Sequence, residues 1–161
     1  MKIGLVDVDG HHFPNLALMK ISAWHKNYGD TVEWAGSLEH YDVVYMAKVF
    51  TFTPDDIQSY QADEIVKGGT GYDLISKLPN EIESCYPDYN LYGIEDTAYG
   101  YLSRGCPRKC QFCIVAEKEG MRAHKVANLS QFWSGQKYIK LLDPNLLACL
   151  SYQRYECLFV F

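Results

Sequence analysis

The chain has 161 residues, with 15 Lys and Arg against 20 Asp and Glu, and a formal net charge of −5. At 48% hydrophobic, 14% aromatic and 22% charged residues it falls in the globular range, which excludes disorder as the dominant state. Its basic residues are scattered and form no stripe, which argues against duplex nucleic acid as a generic partner and leaves nucleic acid open as a substrate. The apolar stretches at residues 42–50 and 146–150 are far shorter than the roughly 18 residues of a membrane-spanning helix. Asp7 and Asp9 interrupt the first apolar run too early for an export signal. A cytoplasmic protein with no membrane partner is the expectation.

Residues 3–8 form a continuous apolar run that ends in Asp7, Asp9 and Gly10, which suits a buried parallel strand and a turn. A helix is expected from Pro14, with Ala17, Ile21, Trp24 and Tyr28 as its apolar stripe and Asn15, Ser22, Lys26 and Asn27 facing solvent. Residues 31–35 predict a second strand and residues 43–46 a third. Thr53-Pro54-Asp55-Asp56 carries a helix-start signal, and residues 62–66 predict a short fourth strand. Alternation of this kind implies a parallel sheet, whose ligands sit at the carboxyl ends of the strands. Asp9-Gly10-His11-His12 and Gly68-Gly69-Thr70-Gly71 occupy such ends. The second reads as turn chemistry and not a phosphate cradle, because the Walker lysine–serine/threonine pair is missing. His11 and His12 read as loop-polar residues, because no partner ligands flank them at metal spacing. A functional role for Asp7 and Asp9 stays open beside helix capping or a turn.

Residues 72–92 lose periodicity and read as an irregular surface linker, with a domain boundary at residues 93–97. A short aromatic strand is expected at residues 98–102. Asn128-Leu129-Ser130-Gln131 has capping-box spacing and predicts a helix through Phe132 and Trp133, closed by Gly135. Residues 138–142 read as the next strand. The tail, residues 150–161, has no helical period and ends in bare aromatics, as though cut or frame-shifted.

Six cysteines are present, Cys85, Cys106, Cys110, Cys113, Cys149 and Cys157, and a reducing compartment would keep them as thiols. Three of them fall within eight residues at C-x3-C-x2-C spacing. Soft thiolates select iron–sulfur clusters, zinc or copper(I). A structural zinc wants four ligands, which His124, Cys85 or Cys149 would have to complete. Three thiols on one loop instead suit a [4Fe–4S] cluster whose fourth iron lacks a protein ligand and stays open to a substrate or cofactor.

The segment Tyr99-Gly100-Tyr101-Leu102-Ser103-Arg104-Gly105-Cys106-Pro107-Arg108-Lys109-Cys110-Gln111-Phe112-Cys113 resembles the signature loop of the radical S-adenosylmethionine (radical SAM) enzymes. That family carries C-x3-C-x-aromatic-C after the first strand of a partial (β/α) barrel. The resemblance implies that Cys106, Cys110 and Cys113 ligate three irons of a [4Fe–4S] cluster. It further implies that S-adenosylmethionine takes the fourth iron, with Phe112 near the adenine, and is cleaved reductively to a 5′-deoxyadenosyl radical. Asp143 and Asn145 stand where the family places polar residues against the amino group of S-adenosylmethionine, although the usual Gly-Gly-Glu form is absent. A flavodoxin- or ferredoxin-like reductant is expected on the same ground.

Residues 1–94 are similar to the cobalamin-binding-like Rossmann domain that precedes the barrel in one branch of the family. Cobalamin binders carry D-x-H-x-x-G, whereas Asp9-Gly10-His11-His12-Phe13-Pro14 has proline in place of the glycine, so the motif for cobalamin itself is incomplete. The expected architecture is therefore α/β: a Rossmann-like parallel sheet over residues 1–94, then the first β-α-β of a radical SAM barrel over residues 95–149. A zinc-stabilised binding module and an inactive truncated remnant are the alternatives that the residues leave open.

Overall fold

The computed structural model describes residues 1–10 and 13–149; His11, His12 and the whole of the 150–161 tail, Cys157 included, lie outside the described residues. The chain divides into two compact units, Met1–Glu95 and Asp96–Phe161. Among the described residues no helix is long and apolar enough to cross a membrane.

The first unit is a parallel α/β sheet. Its strands are β1 (Lys2–Asp7), β2 (Thr31–Trp34), β3 (His40–Ala47) and β4 (Gln61–Gly68), in the order β2-β1-β3-β4. In register, Ile3 of β1 lies between Val32 of β2 and Val43 of β3. The two-residue period of β1 sends Ile3 and Leu5 to one face and Val6 to the other. Helix α1 (Leu16–Asn27) covers the first face, packing Leu18 and Ile21 on Ile3, Leu5 and Val43. Each such side chain, fully buried, contributes about 1.5–3 kcal/mol. Tyr41, Val44 and Met46 form the core of the opposite face, with Tyr60 and Tyr72 packed against them.

Several expectations are corrected here. Helix α1 starts after Asn15, whose Oδ1 accepts hydrogen bonds from the Ala17 and Leu18 N–H groups at 3.1 and 3.3 Å, so Asn15 and not Pro14 sets its start. The buried face is Leu18, Met19, Ile21, Ser22 and His25, while Tyr28 is 71% exposed. Ser22 is buried because its hydroxyl donates to Asp88 at 2.7 Å, and His25 because its ring bridges Asp30 and Tyr45. Residues 72–92 are largely irregular and exposed or half-buried, as expected of a surface segment, but not throughout. They include a short helix α2 (Asn80–Glu83) and a 3₁₀ turn (Tyr89–Tyr92), and they bury Ile82, Pro87 and Tyr89. Thr53-Pro54 starts no helix: Lys48 takes the Asp55 carboxylate, and Asp56 accepts from the Gln58 N–H and the Tyr60 hydroxyl.

The second unit pairs β5 (Thr97–Gly100) in parallel with β8 (Tyr138–Leu141), and β6 (Ser103–Arg104) antiparallel with β7 (His124–Lys125). A single helical turn, α3 (Val115–Lys118), lies between β6 and β7. The capping box at Asn128 and Gln131 forms, but the helix it predicted is a 3₁₀ turn, Leu129–Gln131. The chain turns out of it at Phe132, whose buried ring lies so close to Gly100 that a Cβ there would meet it at 2.3 Å.

Candidate functional site

The cysteine loop leaves β6 and returns to β7, and its base is fixed by backbone and charge together. Arg104 donates to Glu119 at 2.8 Å, and the second oxygen of Glu119 accepts the Gly105 N–H at 3.1 Å. The Cys106 N–H donates to the Gly120 carbonyl at 3.1 Å. The Arg104 guanidinium also lies 4.1 Å from the centre of the Tyr101 ring. Gly105 has φ +83°, and a Cβ there would stand 2.3 Å from the Arg122 carbonyl oxygen. Only glycine fits that conformation and that approach.

Beyond this base the loop is open. Cys110 and Cys113 are exposed and close one turn, with the Cys113 N–H donating to the Cys110 carbonyl at 3.0 Å. Phe112, between them, is 92% exposed. Cys106 differs from both: only 9% exposed, its Sγ accepts a hydrogen bond from Asn145 Nδ2 at 3.5 Å. That bond holds the Cys106 thiol below its ordinary pKa, aided by the Arg108 backbone amide and the Arg108 charge against the opposing effect of burial.

Asp143 and Asn145 follow β8. Asp143 accepts the Leu102 N–H at 3.1 Å, and its other oxygen accepts the Ser103 N–H and hydroxyl, the latter at 2.6 Å. The two residues expected to face S-adenosylmethionine thus hold the protein's own loop entrance, while Phe112 stands free on the loop surface. Ser103, Gly105 and Glu119 were not singled out in the sequence. Gly105 beside the first cysteine was a visible signal for a tight backbone approach, whereas the reach of Glu119 back to Arg104 had none.

The donor set suits a soft metal or an iron–sulfur cluster: three thiols on one loop, one buried with an amide aimed at its sulfur and two open to an incoming group. Among the described residues no group of three or more His, Cys, Asp or Glu side chains is already gathered to hold a metal ion. Of the residues considered for completing a zinc site, His124 is exposed with Nδ1 on the Arg122 carbonyl at 3.1 Å, Cys149 is buried, and Cys85 belongs to the first unit.

The sheet end of the first unit is differently arranged. Asp9 is buried and accepts from the Val49 and Phe50 N–H groups at 2.9 and 2.8 Å. The Gly71 N–H donates to the Lys48 carbonyl at 2.9 Å and the Thr70 hydroxyl to the Val49 carbonyl at 2.6 Å. The glycine loop is therefore closed on the β3 exit, as turn chemistry implies.

Searches of protein-family models, of curated proteins and of solved structures found no match to this chain.

Proposed function

We propose that this chain is an iron–sulfur protein of the radical SAM kind, in which Cys106, Cys110 and Cys113 hold a [4Fe–4S] cluster. The observation that carries the reading is the C-x3-C-x2-C loop, fastened at its base by Gly105, Arg104 and Glu119 and open at its thiols. When bound, the cluster supplies an open iron at which S-adenosylmethionine is held and reductively cleaved. The chain's own residues prepare for that. Asp143 fixes the exit of β5 and the start of β6, from which the loop springs, Asn145 holds the Cys106 sulfur, and Phe112 offers an unhindered ring face for the adenine. A small low-potential electron carrier is the partner this chemistry needs.

The test is anaerobic reconstitution with iron and sulfide, followed by metal analysis and EPR of the reduced protein with and without S-adenosylmethionine. The expected result is about four irons per chain and a signal that S-adenosylmethionine alters. Cys110→Ala is expected to abolish the cluster and Cys85→Ala to leave it intact. Equal iron in the two variants, or a colourless protein holding one tightly bound zinc, would overturn the reading.

A further inference from the structure

The three thiols of the loop are not equivalent. The short segment Asp143-Pro144-Asn145 grips the start of the loop at two points, Asp143 on Leu102 and Ser103, and Asn145 on the Cys106 sulfur. Pro144 between them has a fixed φ, which limits how far the two grips can drift apart. The segment is itself anchored, because β8 pairs with β5 through Gly100 and Leu141 and the Leu142 N–H continues that ladder to the Gly100 carbonyl at 2.9 Å. Cys106 is thus fixed through its N–H, on Gly120, and through its sulfur. Cys110 and Cys113 are exposed, and among the described residues they are held by their local turn.

From this asymmetry we infer that Asn145 is a positioning residue for Cys106, which makes Cys106 the preset ligand of the loop and Cys110 and Cys113 the ligands that metal recruits. The inference rests on the cysteine-loop reading above and assigns Asn145 to the protein's own sulfur instead of to S-adenosylmethionine. Two physical effects support it. A ligand already held in place loses less freedom when metal binds. A hydrogen bond donated to a ligating sulfur stabilises its thiolate form and orients it, and outer partners of this kind are typically worth about 10–100-fold in metal affinity.

The test uses cobalt(II) alone, titrated anaerobically into the metal-free full chain and read by the thiolate-to-cobalt charge-transfer band. Asn145→Ala and the isosteric Asn145→Asp, which lacks the donor, are each expected to weaken cobalt binding about 10-fold. Asn145→Gln, which keeps an amide donor, is expected to regain part of the loss. In a Cys106→Ala background, adding Asn145→Ala is expected to change nothing further. Wild-type affinity in both Asn145→Ala and Asn145→Asp overturns the inference. So does an undiminished 10-fold loss in the Cys106→Ala background, and so does a wild-type chain that gives no thiolate band. A wild-type chain that binds cobalt through thiolates in an Asn145-dependent way but builds no cluster from iron and sulfide leaves this inference standing and removes the proposed function.

Discussion

The two units use one device for opposite ends. In the first, the Asp9 carboxylate takes two successive backbone N–H groups, those of Val49 and Phe50, where the chain leaves β3. In the second, Asp143 takes two successive N–H groups, those of Leu102 and Ser103, where the chain leaves β5. An ionised carboxylate between adjacent amides forms charge-assisted bonds that fix the path of a strand exit. What differs is what the clamp leaves over. Around Asp9 the neighbouring loops turn inward and bond to one another, through Lys48, Gly71 and Thr70. Around Asp143 the clamp ends where the cysteine loop begins, and the loop carries its thiols and Phe112 outward. The first clamp closes a strand end; the second launches a site.

The largest expected effect separates backbone necessity in the loop from ordinary turn geometry. Gly105 and Gly29 have almost the same φ, +83° and +82°, but only Gly105 has backbone in the way of a side chain. Gly29→Ala carries only the cost of a left-handed alanine, about 1–2 kcal/mol. Gly105→Ala adds a collision with the Arg122 carbonyl, so a loss above about 2 kcal/mol is expected together with lost iron uptake. Urea unfolding and iron content of the two variants check this. Similar behaviour of both would mean that the loop base is not held by that close approach.

How much of this was legible in the sequence depends on the range of the interaction. The parallel strands were readable because each is a continuous or alternating apolar run, a signal contained within six to eight residues for β1 and β3. The face of α1 was not, because Ser22 and His25 are polar and their burial depends on Asp88, Asp30 and Tyr45 elsewhere in the chain. Ile82, Leu78 and Leu91 likewise reach the core from residues 72–92 although no period announces them. Local signals also lost to tertiary contacts: the capping box at Asn128 forms and then stops after one turn, where Phe132 packs on Gly100. At the site, the cysteine spacing was visible at once. That Asn145 would reach Cys106 was not, since the two lie 39 residues apart and meet only through the β5–β8 pairing.

A smaller effect tests the comparison of the two clamps directly. Asp9→Ala and Asp143→Ala each strand two backbone N–H groups, and each is expected to lower stability by about 1–3 kcal/mol. Only Asp143→Ala is expected to reduce iron uptake on reconstitution, because only that clamp sets the start of the cysteine loop. Thermal unfolding paired with iron analysis reads both consequences. Equal iron loss in the two variants would mean that the clamps differ in place but not in purpose.

The smallest structural effect belongs to Phe112, and it is the most informative about what the loop presents. A side chain that is 92% exposed contributes little to the fold, so Phe112→Ala is expected to leave stability within about 0.5 kcal/mol and iron content unchanged. An aromatic ring held in solvent between two exposed thiols keeps its apolar faces uncovered until something is placed on them. If that something is the adenine of S-adenosylmethionine, the variant's reduced cluster should respond to S-adenosylmethionine only at higher concentration, measured by EPR titration against the parent chain. An unchanged titration would remove Phe112 from the binding surface while leaving the three thiols and their support by Asn145 and Asp143 untouched, because none of those contacts passes through the ring.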